Sequence, residues 1–117
     1  ARGQIEKLDD LAETLEELWI SYNAITTLDG LSNLHNLTTL YMANNSLRSF
    51  SELDKIAHLE KLRDVLFFGN DMYEGMTKEE ARIEVLRHLP NVAKIDGDMV
   101  KPTEREIALG NAAAEEG

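Results

Sequence analysis

The sequence predicts an α/β solenoid, with short parallel strands lining a concave face, helical or 3₁₀ returns on the convex side, and a helical C-terminal cap. Three observations carry this. The segments LEELWISYN at 15–23, LTTLYMANN at 37–45 and LRDVLFFGN at 62–70 align without gaps as apolar-x-x-apolar-x-apolar-x-x-Asn. Their first leucines, Leu15, Leu37 and Leu62, stand 22 and 25 residues apart, within the range of about 20–29 residues typical of leucine-rich repeats. Beyond residue 75 the apolar rhythm changes to a helical period, as a terminal cap requires. Residues 1–75 are therefore assigned to the repeats, and 76–117 to the cap helix, a last strand and a terminal helix with its tail.

The chain opens in the middle of a repeat. Ile5, Leu8 and Leu11 match a return segment whose strand is missing. A solenoid normally shields its first strand, so the expectation is a fragment of a longer protein rather than an edge covered by something else.

Each repeat core then reads as a strand with alternating side chains. Leu18 and Ile20 point inward, as do Leu40 with Met42 and Val65 with Phe67. Asn23, Asn45 and Asn70 stand where the chain turns sharply, and their amides can bond backbone groups left unpaired at the bend. Stacked, the three form an asparagine ladder along the solenoid.

The first return, with Ile25, Leu28, Leu31 and Leu34 every three residues, suits a tight 3₁₀ or irregular path. In the second, Leu47, Phe50, Leu53, Ile56 and Ala57 drift toward a helical period, and Ser49 with Glu52 matches a capping box. A true α-helical turn is expected there, the most regular on the convex side. Thr77 and Glu80 form a second capping box, Ile83, Leu86 and Leu89 share a stripe, and Pro90 ends the helix. VAKIDG at 92–97 supplies a last short strand and turn, Pro102 opens a terminal helix, and the tail at 112–117 is expected to fray.

Of the 117 residues, 43% are hydrophobic, enough for a packed core. No apolar run reaches the roughly 18 residues needed to span a bilayer as a helix. Without cysteine there is neither disulfide framework nor thiolate metal site. A net charge of −10 repels phosphate backbones and disfavours nucleic acid, whereas a basic protein surface would be attracted.

Candidates for chemistry are thin. His35, His58 and His88 are scattered near the ends of return segments and read as surface residues. Ser21, Asp29 and His35 have no nucleophile motif around them, and there is no phosphate-binding glycine loop. Asp96 and Asp98 flank a glycine as turn residues rather than calcium ligands. Met42, Met72, Met76 and Met99 read as packing residues. No cofactor, metal site or enzyme activity is expected.

The outward strand positions hold the candidate function. Across the repeats they form three rows: Glu17, Thr39 and Asp64; Trp19, Tyr41 and Leu66; Ser21, Ala43 and Phe68. The middle row holds the only tryptophan. With Phe68 and Tyr22 it makes an apolar patch bordered by acid, the composition of a protein-binding hot spot. An amphipathic helix lying in the groove is the fitting ligand, with Glu17 and Asp64 orienting basic residues beside the apolar seam.

Four strings narrow the match. TLEELWISYN at 14–23, LYMANN at 40–45, RIEVLRHLPNVAKIDG at 82–97 and, less closely, VKPTERE at 100–106 resemble the leucine-rich repeat light chains of axonemal outer-arm dynein. The resemblance runs from about residue 5 to residue 108. It implies short repeats with a helical cap, and a place in the cytoplasm and cytoskeleton at the axoneme of a cilium or flagellum. The implied partner is a dynein heavy chain, bound through a helical element of its microtubule-binding region, with tubulin as a further candidate contact and no membrane. Trp19, Tyr41, Leu66 and Phe68 fall on the strand face that engages the heavy chain in that family. Arg105 matches a terminal-helix arginine implicated in motor regulation. The family's N-terminal helix and first repeats have no counterpart here, and Lys101 occupies a normally acidic position. A different class of answer is a leucine-rich repeat scaffold or regulatory subunit of a phosphatase or splicing particle, which would not need the WISYN and YMANN strings.

Overall fold

The computed structural model describes residues 11–110. Ile5, Leu8 and the tail at 112–117 lie outside the described residues. Four strands, β1 (Glu17–Trp19), β2 (Thr39–Tyr41), β3 (Asp64–Leu66) and β4 (Lys94–Ile95), pair in parallel in chain order. A short β5 (Asp98–Met99) folds back antiparallel on β4. The register is one repeat per strand, so Leu18, Leu40, Val65 and Ile95 stack in a line. This line is buried, as is the next inward line of Ile20, Met42 and Phe67. Burial of that apolar surface is the main stabilising contribution.

β1, β2 and β3 are only three residues long because the chain reverses soon after them. Tyr22, Asn44 and Gly69 occupy equivalent positions with positive φ of 62°, 58° and 82°, and each directly precedes an asparagine. At Gly69 a Cβ would lie 2.2 Å from Asn44 Oδ1, so the third repeat needs glycine both for its φ and for the close approach of its neighbour.

Asn45 and Asn70 then tie adjacent repeats together. Asn45 accepts from Ile25 N at 3.0 Å and donates to Ile20 O at 3.0 Å and Met42 O at 3.1 Å. Asn70 accepts from Leu47 N at 3.0 Å and donates to Met42 O at 2.9 Å and Phe67 O at 2.8 Å. Both are nearly fully buried. Asn23 is half-buried and donates to Ile20 O at 2.9 Å.

The first return is a series of i+3 turns, Leu31 N to Leu28 O, Leu34 N to Leu31 O and Leu37 N to Leu34 O, each leucine fully buried or nearly so. The second return departs from expectation. Phe50–Lys55 is a 3₁₀ helix, not α. Ser49 Oγ accepts from Ser51 N at 3.1 Å, while Glu52 reaches across to the preceding repeat and accepts from Leu28 N at 2.9 Å and Lys55 Nζ at 2.9 Å. The capping box is lost because the glutamate satisfies an amide between repeats rather than one within its own turn. Burial raises the Glu52 carboxyl, but Lys55, the Leu28 amide and Thr27 outweigh it and hold it below its ordinary value.

The regular helix comes one repeat later. After a 3₁₀ turn at Asp71–Tyr73, α1 runs over Lys78–His88. Thr77 Oγ1 accepts from Glu80 N at 3.1 Å, and Glu80 Oε1 accepts from Thr77 N at 2.9 Å. Ala81, Val85 and Leu86 are buried, with Ile83 only partly so. α2 (Pro102–Ala108) packs against α1. Arg82 joins them, only 4% exposed. It donates to Glu104 Oε2 at 2.7 Å, Ile95 O at 2.6 Å and Met99 O at 3.0 Å. Methionine packing holds for Met42 and Met72 but not for Met99, which is 63% exposed at the hairpin edge of the sheet.

Candidate partner-binding face

The parallel register brings the outward residues into rows. Trp19 and Tyr41 are Cα partners, as are Tyr41 and Leu66. Trp19 is 68% exposed, and its ring lies over Tyr41 with centroids 5.4 Å apart and planes at 27°. Tyr22, three residues after Trp19, is 72% exposed, while Phe68, two residues beyond β3, is 43% exposed. Adjacent aromatics stabilise a sheet by cross-strand contact, yet this pair leaves most of the indole in solvent. Large exposed apolar groups gathered on one face mark contact surfaces.

The acidic border is built by hydrogen bonding. Tyr41 Oη donates to Asp64 Oδ2 at 2.8 Å. That bond to Asp64, followed by burial and by the charges of Asp64 and Glu17, pushes the Tyr41 phenol above its ordinary value, so the hydroxyl stays a donor. Glu17 is exposed at the head of this row, and Thr39 is half-buried between them.

Two outward positions serve the scaffold. Ala43 is only 1% exposed, contrary to its expected place on the contact surface. Ser21 and Tyr22 bond Ala43 on one side, Phe68 O accepts from the next residue, Asn44, on the other, and a lone methyl does not rise above these neighbours. Ser21 Oγ accepts from Ala43 N at 3.0 Å, so its hydroxyl is committed to the backbone.

The fourth strand extends the face beyond the rows legible in the sequence. Lys94 pairs with Asp64, adding a cation to the first row. Asp96, φ 51°, closes the next position. Its Oδ1 accepts from Phe67 N at 2.7 Å and Phe68 N at 3.2 Å, and its Oδ2 accepts from Tyr73 Oη at 2.7 Å. The cap thereby holds the backbone that carries Phe68. Because β4 is two residues long and lacks the leucine pattern, the only signal for these two residues was the VAKIDG turn.

Arg105 is half-buried, with Nη1 donating to Pro90 O and Nη2 to Val92 O at 2.9 Å. Its guanidinium pins α2 to the end of α1. His35 and His58 meet edge to face at 5.9 Å, and His88 is half-buried against Phe50 with Asp54 Oδ1 2.7 Å from Nδ1. Among the described residues no group of three or more His, Asp or Glu side chains could hold a metal. A recess of about 570 Å³ near the cap is walled by Arg82, Glu104, Lys78 and Asp98, which are already paired with one another.

A family model described as Leucine Rich repeats (2 copies) matches residues 13–55. The crystal structure of the Drosophila melanogaster SNF/U2A' complex contains a chain that superposes with a TM-score of 0.72, covering 97% of this chain and 68% of that one at 22% identity. The fold of this chain is therefore a leucine-rich repeat solenoid. Its sequence is 50% identical over 109 residues to dynein axonemal light chain 1 of Chlamydomonas reinhardtii, covering 90% of this chain and 55% of that protein. It is 34% identical to human cilia- and flagella-associated protein 410, covering 88% of this chain and 39% of that one. It is 33% identical to a probable U2 small nuclear ribonucleoprotein A' of Caenorhabditis elegans, covering 91% and 42%. The leucine-rich repeat chain thus spans about half of the dynein light chain and less of the other two.

Proposed function

We propose that this solenoid is a noncatalytic axonemal dynein light chain whose concave face binds a helical element in the microtubule-binding region of an outer-arm heavy chain. It works at the axoneme of a cilium or flagellum, where its grip changes how the motor engages its track. The observation that carries this reading is the exposed Trp19–Tyr41 stack on the concave sheet. Leu66, Phe68 and Tyr22 extend the apolar surface, and Glu17, Thr39 and Asp64 line its polar side. Tryptophan and tyrosine at the centre of a patch contribute most of the affinity in such interfaces. Asn23, Asn45 and Asn70 act structurally, by keeping the strands in register. Arg105 acts on the motor through the position of α2, which its bonds to Pro90 and Val92 fix.

The test is binding of Trp19→Ala to a recombinant heavy-chain microtubule-binding region. An affinity loss of roughly 2 kcal/mol or more, about thirtyfold, is expected with an unchanged melting temperature. Equal affinity in a folded variant removes the assignment of this face. A splicing-particle scaffold is the second reading, motivated by the 33% identical ribonucleoprotein relative. Affinity capture separates the two: dynein heavy chain supports the first and spliceosomal proteins the second. The 50% identity to the dynein light chain favours the first.

A further inference from the structure

Among the described residues, one buried side-chain polar atom has no hydrogen-bond partner, and it lies on the candidate binding face: Asp64 Oδ1. Asp64 stands in β3 between Thr39 of β2 and Lys94 of β4. Its other oxygen is held by the Tyr41 hydroxyl at 2.8 Å, and the Tyr41 ring is in turn stacked on Trp19. The carboxylate is therefore anchored at the edge of the aromatic pair with one oxygen uncommitted. Lys94 neighbours it in the sheet without forming an ion pair or a hydrogen bond with it. A shielded carboxylate oxygen lacking a donor is unfavourable in the free protein, and the charge of −10 favours a cationic visitor.

We propose that Asp64 is the receptor for a cationic side chain, a guanidinium or an ammonium, on the helix that covers the aromatic face. This rests on the binding reading above and adds the chemistry of the ligand. The torsion about Cβ–Cγ of an aspartate is broad, so a small turn delivers Oδ1 to an incoming donor without moving the strand. A guanidinium there has several donors in a fixed plane for the orphan oxygen, and an ammonium carries the same charge as a compact head. The spacing fits a helix crossing the strands. Neighbouring strands are about 4.8 Å apart and one helical turn rises about 5.4 Å, so successive turns meet successive repeats. A basic residue over Asp64 then lies within about two turns of the apolar residue over Trp19.

Asp64→Asn keeps an acceptor for Tyr41 and removes the charge. With the recombinant heavy-chain microtubule-binding region as probe, calorimetric titrations of the wild type, Asp64→Asn and Trp19→Ala are run at low and high salt. The proposal expects Asp64→Asn to bind at least tenfold more weakly at low salt, with a shallower salt dependence, and to melt at or above the wild-type temperature. Trp19→Ala should weaken binding while retaining the wild-type salt dependence. If Asp64→Asn binds as the wild type does while Trp19→Ala is weak, the cation receptor is overturned and the aromatic face stands. If both bind as the wild type does, or the wild type does not bind the probe, the underlying reading falls and the cation receptor falls with it.

Discussion

Replacing Asn45 by alanine tests how the repeats are held in register, and its cost can be worked from the bonds it removes. Asn45 contacts Ile20 O, Met42 O and Ile25 N closely, with a longer bond of 3.4 Å to Ala43 O. The two close carbonyls are not orphaned by its loss. Ile20 O still accepts from Asn23 Nδ2 at 2.9 Å, and Met42 O from Asn70 Nδ2 at 2.9 Å. The Ile25 amide has no such reserve, and Ile25 is fully buried. A buried amide stripped of its acceptor costs about 1–3 kcal/mol, and the space left by the amide adds to that. The expected loss is about 2–3 kcal/mol, read by urea denaturation followed by far-UV circular dichroism. With a slope near 2 kcal/mol/M the midpoint falls by about 1–1.5 M. A loss below about 0.5 kcal/mol with an unchanged slope would refute the claim that one orphaned donor dominates.

Two further outcomes follow from the same geometry. Tyr22 carries a bulky side chain at φ 62° where the next repeats use Asn44 and Gly69, and its ring is mostly in solvent. Tyr22→Asn should therefore stabilise the fold by about 0.5–1 kcal/mol through relief of strain, seen as a higher melting temperature, while the binding proposed above for a heavy-chain fragment should weaken; a lower melting temperature contradicts it. The Glu104 carboxyl is held below its ordinary value, first by its hydrogen bond from Arg82. Its contribution to stability is complete above the unfolded value of about 4.3 and is lost as pH falls through the lower folded value. Melting curves from pH 6 to 3 should fall less steeply for Glu104→Gln than for the wild type, and parallel curves would show that the pair has no such linkage.

The repeat and its register were written in the sequence because they are periodic. Leu18, Leu40 and Val65 recur at matching positions, and a strand that alternates in and out leaves one arrangement that buries every apolar side chain. The capping box at Thr77 and the proline opening α2 were legible for a similar reason, since local hydrogen bonding and backbone geometry settle them within a few residues.

The misread features all depend on a neighbour. Glu52 leaves its own turn because an amide of the previous repeat lies within reach, Ala43 vanishes from the surface between larger neighbours, and Met99 is exposed by a hairpin that no periodicity announced. Arg82 likewise takes its role from groups outside its own helix, Glu104 and the Ile95, Asp98 and Met99 carbonyls.

What the sequence determined by itself is the kind of fold and which face carries aromatic residues, because those follow from spacing along one chain. Which outward atoms are free to meet a partner was decided only by tertiary structure. Hydrogen bonds between repeats consume Ser21, fix Tyr41 and leave one oxygen of Asp64 unspoken for, and such bonds join residues more than twenty positions apart.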